Sequence, residues 1–351
     1  MLVHAPGLVE SLYARGLFVG IRVIWDYSFA LLPIPLLYLS ILILLALGIR
    51  WIIKMRKRSS TRSLKERSIT TGLNLLAFGL GAIGLFFWLW GFNYSRIPLD
   101  QQLDLQKVQP QREALIEEVK LTIDRMALAR NLVAPMDSNA LSISALPPQL
   151  EKKVRNSLEG LLAEINYPSL GRVRGRKIFP KGWLIGMGAT GIYIPFVSEG
   201  HFDGALHPIQ HPAVMAHEMS HGYGFTNEGV CNFLALLACE RSEEPMIQYA
   251  GLLMYFRYLT HDLFRMDPAY YRQLIPNLPV GIQADLSAIR ENRKKYKAWF
   301  PDFSRKVYNR YLQSQGVKEG IKSYNKVVGL YASWKEKMGA KPNKNSSSNQ
   351  E

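Results

Sequence analysis

Apolar residues fill two long stretches of the first hundred positions and recur periodically after that. Phe29 to Ile49 holds no charged residue, and Ile69 to Phe92 is a second uncharged run rich in Gly, Leu, Phe and Trp. About 20 apolar residues in a helix cross the hydrocarbon core of a bilayer, so both runs are long enough to span one. We assign residues 29–53 and 69–93 to two transmembrane helices joined by residues 54–68. Each run is too long for a cleavable leader, and no small-residue cleavage pattern follows either. Ahead of them, Leu8, Val9, Leu12, Tyr13, Leu17 and Phe18 interleave with Glu10, Arg15 and Arg22. That amphipathic pattern predicts an interfacial helix within residues 1–28.

From about Pro98 the composition changes to that of a water-soluble domain, taken as residues 97–340. Leu115, Val119, Ile123 and Met126 recur at helical spacing within Pro110 to Val133, and Pro147 to Ile165 reads as a second helix. A Gly-rich, β-prone stretch follows from Arg172 to Phe196, with Trp183–Ile185 and Ile192–Ile194 as expected strands of a small sheet. Helical patterns then run from Pro212 to Trp334, punctuated at Gly224, Pro245, Pro276, Pro279, Pro301 and Gly316. The tail, residues 341–351, is polar enough to expect disorder. The fold class expected is α+β and mostly helical, with two N-terminal spans ahead of the domain.

Charge sets the expected topology. Lys54, Arg56, Lys57, Arg58, Arg62, Lys65 and Arg67 crowd the segment between the spans against a single Glu66. Basic loops are retained in the cytosol, which places the large domain outside it. In a bacterium that is a two-span inner-membrane protein with a periplasmic domain, whose first partner is the lipid bilayer. The net charge of +15 arises largely from this loop and from surface lysines. No nucleic-acid motif accompanies it, so no nucleic-acid partner is expected. The chain has two cysteines, Cys231 and Cys239. Eight residues apart on one helix they would lie about 12 Å from each other, too far to bond.

The candidate chemistry lies in His217-Glu218-Met219-Ser220-His221. On a helix, histidines four apart sit one turn from each other on one face and can share a metal, while Glu218 can reach a water on that metal as general base. Pro212 suits the first turn of such a helix and Gly224 its end. For the third ligand two acids compete. Glu228 starts an expected helix from Glu228 to Glu240 and can swing back after the Gly224 turn. Glu240 lies nineteen residues past His221, the spacing of aminopeptidase-type gluzincins. A metzincin would need a histidine where Asn227 stands. Spacing favours Glu228. Cys231, one turn on, reads as a core or supporting thiol, and His201, His207 and His211 as loop histidines able to approach substrate.

Several stretches together resemble a bacterial family catalogued as domain of unknown function 3810. They are Trp90 to Leu99, Gly191 to Phe196 with Glu199, His217 to Phe225 continuing through Glu228 to Ala235, and Tyr311 to Val328. The resemblance covers nearly the whole chain in order, and it implies a two-span inner-membrane protein with an extracytoplasmic zincin-like domain. Where the family reads E-x-E-A-N-F, Glu228 stands at the first acid and Val230 replaces the second. Other small zincins carry an E-x-x-A-N helix whose Glu binds zinc, and Glu228 with Asn232 fits that pattern.

The expectation is therefore a membrane-anchored zinc metallohydrolase, a gluzincin-like metallopeptidase. His217, His221 and Glu228 would hold Zn2+, Glu218 would act as base, and a peptide or protein of the cell envelope would be the substrate. The alternative is a catalytically silent, metal-stabilised envelope scaffold.

Overall fold

A computed structural model describes residues 5–58, 63–106, 108, 110–314 and 326–339. The tail expected to be disordered, residues 341–351, lies outside the described residues, as does much of the last family-like stretch. In chain order the helices before the sheet are α1 (Pro6–Leu8), α2 (Phe18–Asp26), α3 (Leu36–Arg58), α4 (Leu64–Leu89), α5 (Leu99–Gln102), α6 (Arg112–Val133) and α7 (Leu150–Glu164). Then come β1 (Arg174–Ile178), the short α8 (Trp183–Gly186), β2 (Gly191–Ile194) and β3 (Glu199–Asp203). After the sheet follow α9 (His211–Gly222), α10 (Glu228–Glu240), α11 (Pro245–Met266), α12 (Pro268–Leu274), α13 (Val280–Lys294), α14 (Pro301–Ser314) and α15 (Lys326–Gly339). The molecule is mostly helical with one small sheet.

Among the described residues, two helices are long and apolar enough to cross a membrane: Leu36–Lys57, with mean hydropathy 2.4, and Lys65–Leu89, with 1.8. Both leave their apolar faces exposed, which supports a membrane protein. The first begins later than its apolar run suggested. Phe29–Leu31 form a single 3-10 turn, and helix α3 starts only after Pro33 and Pro35. Proline holds the residue before it out of the helical region, so a pair of prolines interrupts an otherwise uniform apolar stretch. Helix α4 opens on a capping box. The Ser63 hydroxyl accepts from the Glu66 N–H at 3.3 Å, and the Glu66 carboxylate accepts from the Ser63 N–H at 3.0 Å.

The N-terminal segment is helical from Pro6 to Asp26, with a π-helical stretch over Val9–Leu17. Its two sides differ. Val9, Tyr13 and Phe18 pack with Trp90 in a small buried cluster, whereas Leu12 and Ile24 stay exposed. Glu10 accepts from Arg96 at 2.8 and 2.9 Å, which ties the segment to the chain leaving α4.

The three strands run in the order β1-β3-β2, with β1 parallel and β2 antiparallel to β3. Strand β2 falls where Ile192–Ile194 was expected. Trp183–Ile185 does not form a strand; it is a turn of helix, α8. A three-residue apolar run has no period to distinguish the two, and the left-handed Gly182 before it turns the chain out of extension. Strand β3, with the sequence EGHFD, carries no apolar alternation and was not anticipated.

Helix α10 lies at the centre, packed by α7, α9, α11 and α15. Every residue from Glu228 to Cys239 is buried. Phe233, Leu234, Leu236 and Leu237 each contribute about 1.5–3 kcal/mol by leaving water. That anchoring fixes where the first turn of α10 points.

Candidate metal centre

Helix α9 forms as its sequence indicates, with Pro212 in the first turn and Gly224, at φ +93°, turning the chain just past its end. Asn227 caps the next helix, its side chain accepting from the Val230 N–H at 3.2 Å. This tight connection brings Glu228 back across His217 and His221. The Glu228 Oε2 lies 3.0 Å from His217 Nε2 and 3.4 Å from His221 Nε2, and the two Nε2 atoms are 3.2 Å apart. Donors 2.0–2.1 Å from a tetrahedral zinc lie roughly 3.3–3.4 Å from one another, so the triangle matches that ion in size.

The protons on the imidazoles sharpen the fit. Asn232 donates its Nδ2 to Tyr258 Oη at 3.0 Å and therefore turns Oδ1 toward His217, whose Nδ1 donates to it at 2.8 Å. The Nδ1 of His221 donates to the Phe225 carbonyl at 2.8 Å. In the neutral rings each proton is thereby held on Nδ1 and Nε2 is left to accept, and these outer partners orient the imidazoles. Two imidazole nitrogens and a carboxylate oxygen then converge on one spot, a set of atoms that could hold a metal ion. Despite burial, Cys231 and Glu228 hold His221 well above the usual imidazole range. Burial opposes ionisation of Glu228 as well, yet the two histidines hold it well below the usual carboxylate range. Cys231 stands 3.4 Å from His221 Nδ1, a supporting position rather than a corner of the triangle.

Glu218 lies on the same helix, against the sheet. A Cβ on Gly200 would sit 2.7 Å from Glu218 Cβ, and one on Gly191 would overlap its Oε1, so glycine is needed at both strand positions for α9 to approach. The Glu218 Oε2 is buried without a hydrogen-bond partner. Burial pushes this carboxyl up to about 7, with His217 and His221 pulling the other way. It is the group in the cluster best suited to exchange a proton near neutrality.

The remaining sequence candidates lie elsewhere. Glu240 ends α10 on its far side, bound by Arg125 Nη2 at 2.5 Å and by the Tyr331 hydroxyl at 2.7 Å, so it does not reach the imidazoles. His201 sits on β3, 3.3 Å from Glu199, on the sheet face opposite Glu218. His211 opens α9 and shares a hydrogen bond with the Leu206 carbonyl at 3.1 Å, stacked near Phe202. His207 precedes the turn before α9. None of the three joins the triangle.

Two contributors were not foreseen from the motif. One is the Phe225 carbonyl, which no side-chain pattern can reveal. The other is Trp90 at the end of α4, whose indole Nε1 donates to the His221 carbonyl at 2.9 Å. Its signals were its place among the aromatic residues closing the second apolar run and at the head of the first family-like stretch.

The sequence model of a family described as a protein of unknown function (DUF3810) matches residues 13–332. No curated protein and no solved structure matches the chain.

Proposed function

The chain belongs to the DUF3810 family, and we propose that it is a membrane-anchored, zinc-dependent metallohydrolase acting on peptide bonds. The observation that carries this reading is the triangle of His217, His221 and Glu228, closed to 3.0–3.4 Å with both Nε2 atoms turned toward the carboxylate. Those three residues would hold the metal, and imidazole with carboxylate is a donor set that suits zinc. A divalent cation there supplies Lewis acidity toward a carbonyl oxygen and toward water.

The chain's own residues do the rest. Glu218, with its unpartnered Oε2, takes a proton from water and returns one to the leaving amine. Asn232 and the Phe225 carbonyl keep both imidazoles aimed. Strand β2 is an edge strand of the sheet beside Glu218 and offers an extended peptide a place to pair. With the basic segment around Lys54–Arg67 in the cytosol, the domain faces the periplasm of a bacterial inner membrane.

A second reading, a metal-stabilised scaffold without turnover, is favoured by the small opening of the cluster, whose four side-chain-bearing residues are only 4–8 % exposed. One substitution separates the two. Glu218→Gln keeps the triangle and removes the base, so the full chain should retain its metal by elemental analysis. Cleavage of a peptide library, read by mass spectrometry, should fall by about 10²–10⁴-fold. Unchanged cleavage in that variant would reject the mechanism.

A further inference from the structure

Both spans end against the candidate centre. The last turn of α4 leads to Trp90, one hydrogen bond of 2.9 Å from the His221 carbonyl. The free carbonyls of Phe87 and Trp88 that close α4 are met by the Tyr13 hydroxyl, at 3.2 and 2.8 Å. At the start of α3, the Leu36 N–H donates to Glu199 Oε2 at 2.8 Å. Glu199 is the neighbour of Gly200, the residue on which Glu218 packs. Two residues into α3, the Tyr38 hydroxyl donates to the Phe179 carbonyl at 3.1 Å and accepts from the Phe179 N–H at 2.7 Å. The domain is thus pinned at both points where the hairpin leaves its apolar layer.

The surface around those points is apolar. On the N-terminal segment, whose other side packs on the domain, Ile24 is 70 % and Tyr27 59 % exposed. Beside the edge strand, Ile192 and Phe196 are each 41 % exposed. Trp25 links the two areas, its indole donating to the Val197 carbonyl at 2.8 Å. An apolar rim continuous with two spanning helices matches a lipid surface, where such rings and aliphatic chains settle at the headgroup level.

We propose that the centre lies at the bilayer surface and that its substrates are membrane-anchored polypeptides, cut in the stretch beside their anchor. This rests on the hydrolase reading for the cutting and on the packing of both span ends for the location. A segment pairing with β2 runs next to Ile192 and Phe196, within the layer that an anchored chain occupies on leaving the membrane. Anchoring concentrates such a substrate at the site.

The test uses the full chain in phosphatidylcholine vesicles. Single cysteines at Ile24→Cys and Phe196→Cys carry an environment-sensitive dye, with Met136→Cys, 98 % exposed in the loop after α6, for comparison. Lipids bearing a quencher near the headgroup should quench the first two and spare the third; equal quenching of all three, or of none, overturns the location. One peptide is then offered with and without an acyl anchor. The anchored form should be cut about 10²-fold faster, at a bond within about 10 residues of the anchor, since an extended chain advances about 3.3 Å per residue. Equal rates, or cuts far from the anchor, overturn the substrate class. If neither form is cut, the hydrolase reading and the substrate class fall together, while the quenching result still decides the location.

Discussion

Two clusters of buried ionisable groups stand on the same helical scaffold and are built on opposite terms. In one, Asp285 accepts from Arg130 Nε, the Tyr249 hydroxyl and the Leu141 N–H, each at 2.7 Å. Arg130 spends its other nitrogens on the Asp137 and Asn139 carbonyls. Every acceptor there meets a donor. In the other, His217, His221 and Glu228 point three acceptors at one spot, and their own donors face outward to Asn232 and Phe225. A completed network holds a structure together, whereas three ligand atoms brought to one spot are able to hold a cation.

That difference can be broken from either side. The largest effect should come from Asp285→Ala, which leaves Arg130 charged and buried without its partner. We expect a loss of about 3–5 kcal/mol in folding stability, read by chemical denaturation, with metal affinity of the folded fraction unchanged. Glu228→Ala should do the reverse. Metal affinity, followed by titration with a competing chelator, should drop by more than the ~10–100-fold that outer partners are worth, while stability without metal falls less than in Asp285→Ala, because His221 left without Glu228 can give up its proton. Glu240→Ala, at the other end of the same helix, should leave the affinity intact; a matching loss there would refute the assignment of Glu228. Asn232→Ala sharpens the contrast. It keeps all three ligands, removes the acceptor that orients His217, and should weaken metal binding by about 10–100-fold.

The smallest expected effect is a pH dependence away from both clusters. Burial pushes His211 down to about 4, only partly countered by its hydrogen bond to the Leu206 carbonyl. A histidine whose folded value lies below its unfolded one stabilises the fold above about pH 6.5, and that contribution is lost as pH falls from there toward 4. Thermal unfolding scans should show the decline, of roughly 1–3 kcal/mol, and His211→Gln should flatten it.

What could be read from the sequence follows where chemistry is carried by local pattern. Helices α9 and α10, their turn at Gly224 and the position of Glu228, rather than Glu240, beside the imidazoles all follow from residue spacing, because helical geometry converts spacing into direction. The two apolar helices are legible for the same reason, save that Pro33 and Pro35 delay α3 to Leu36. Strand β3 is not legible. Its front face is Gly200 and Phe202 against α9 and its back carries Glu199, His201 and Asp203, so no apolar alternation marks it. The inner side of the N-terminal segment escaped notice too: Val9 and Phe18 look the same whether they cover lipid or Trp90.

The hydrogen bond from Trp90 to the end of α9 also bears on biogenesis. The indole follows the second apolar helix, and Tyr13 and Phe18, which share its buried cluster, belong to a segment synthesised before either apolar helix. A form of the chain beginning at residue 97 would therefore lack Trp90, and with it part of the wall beside His221.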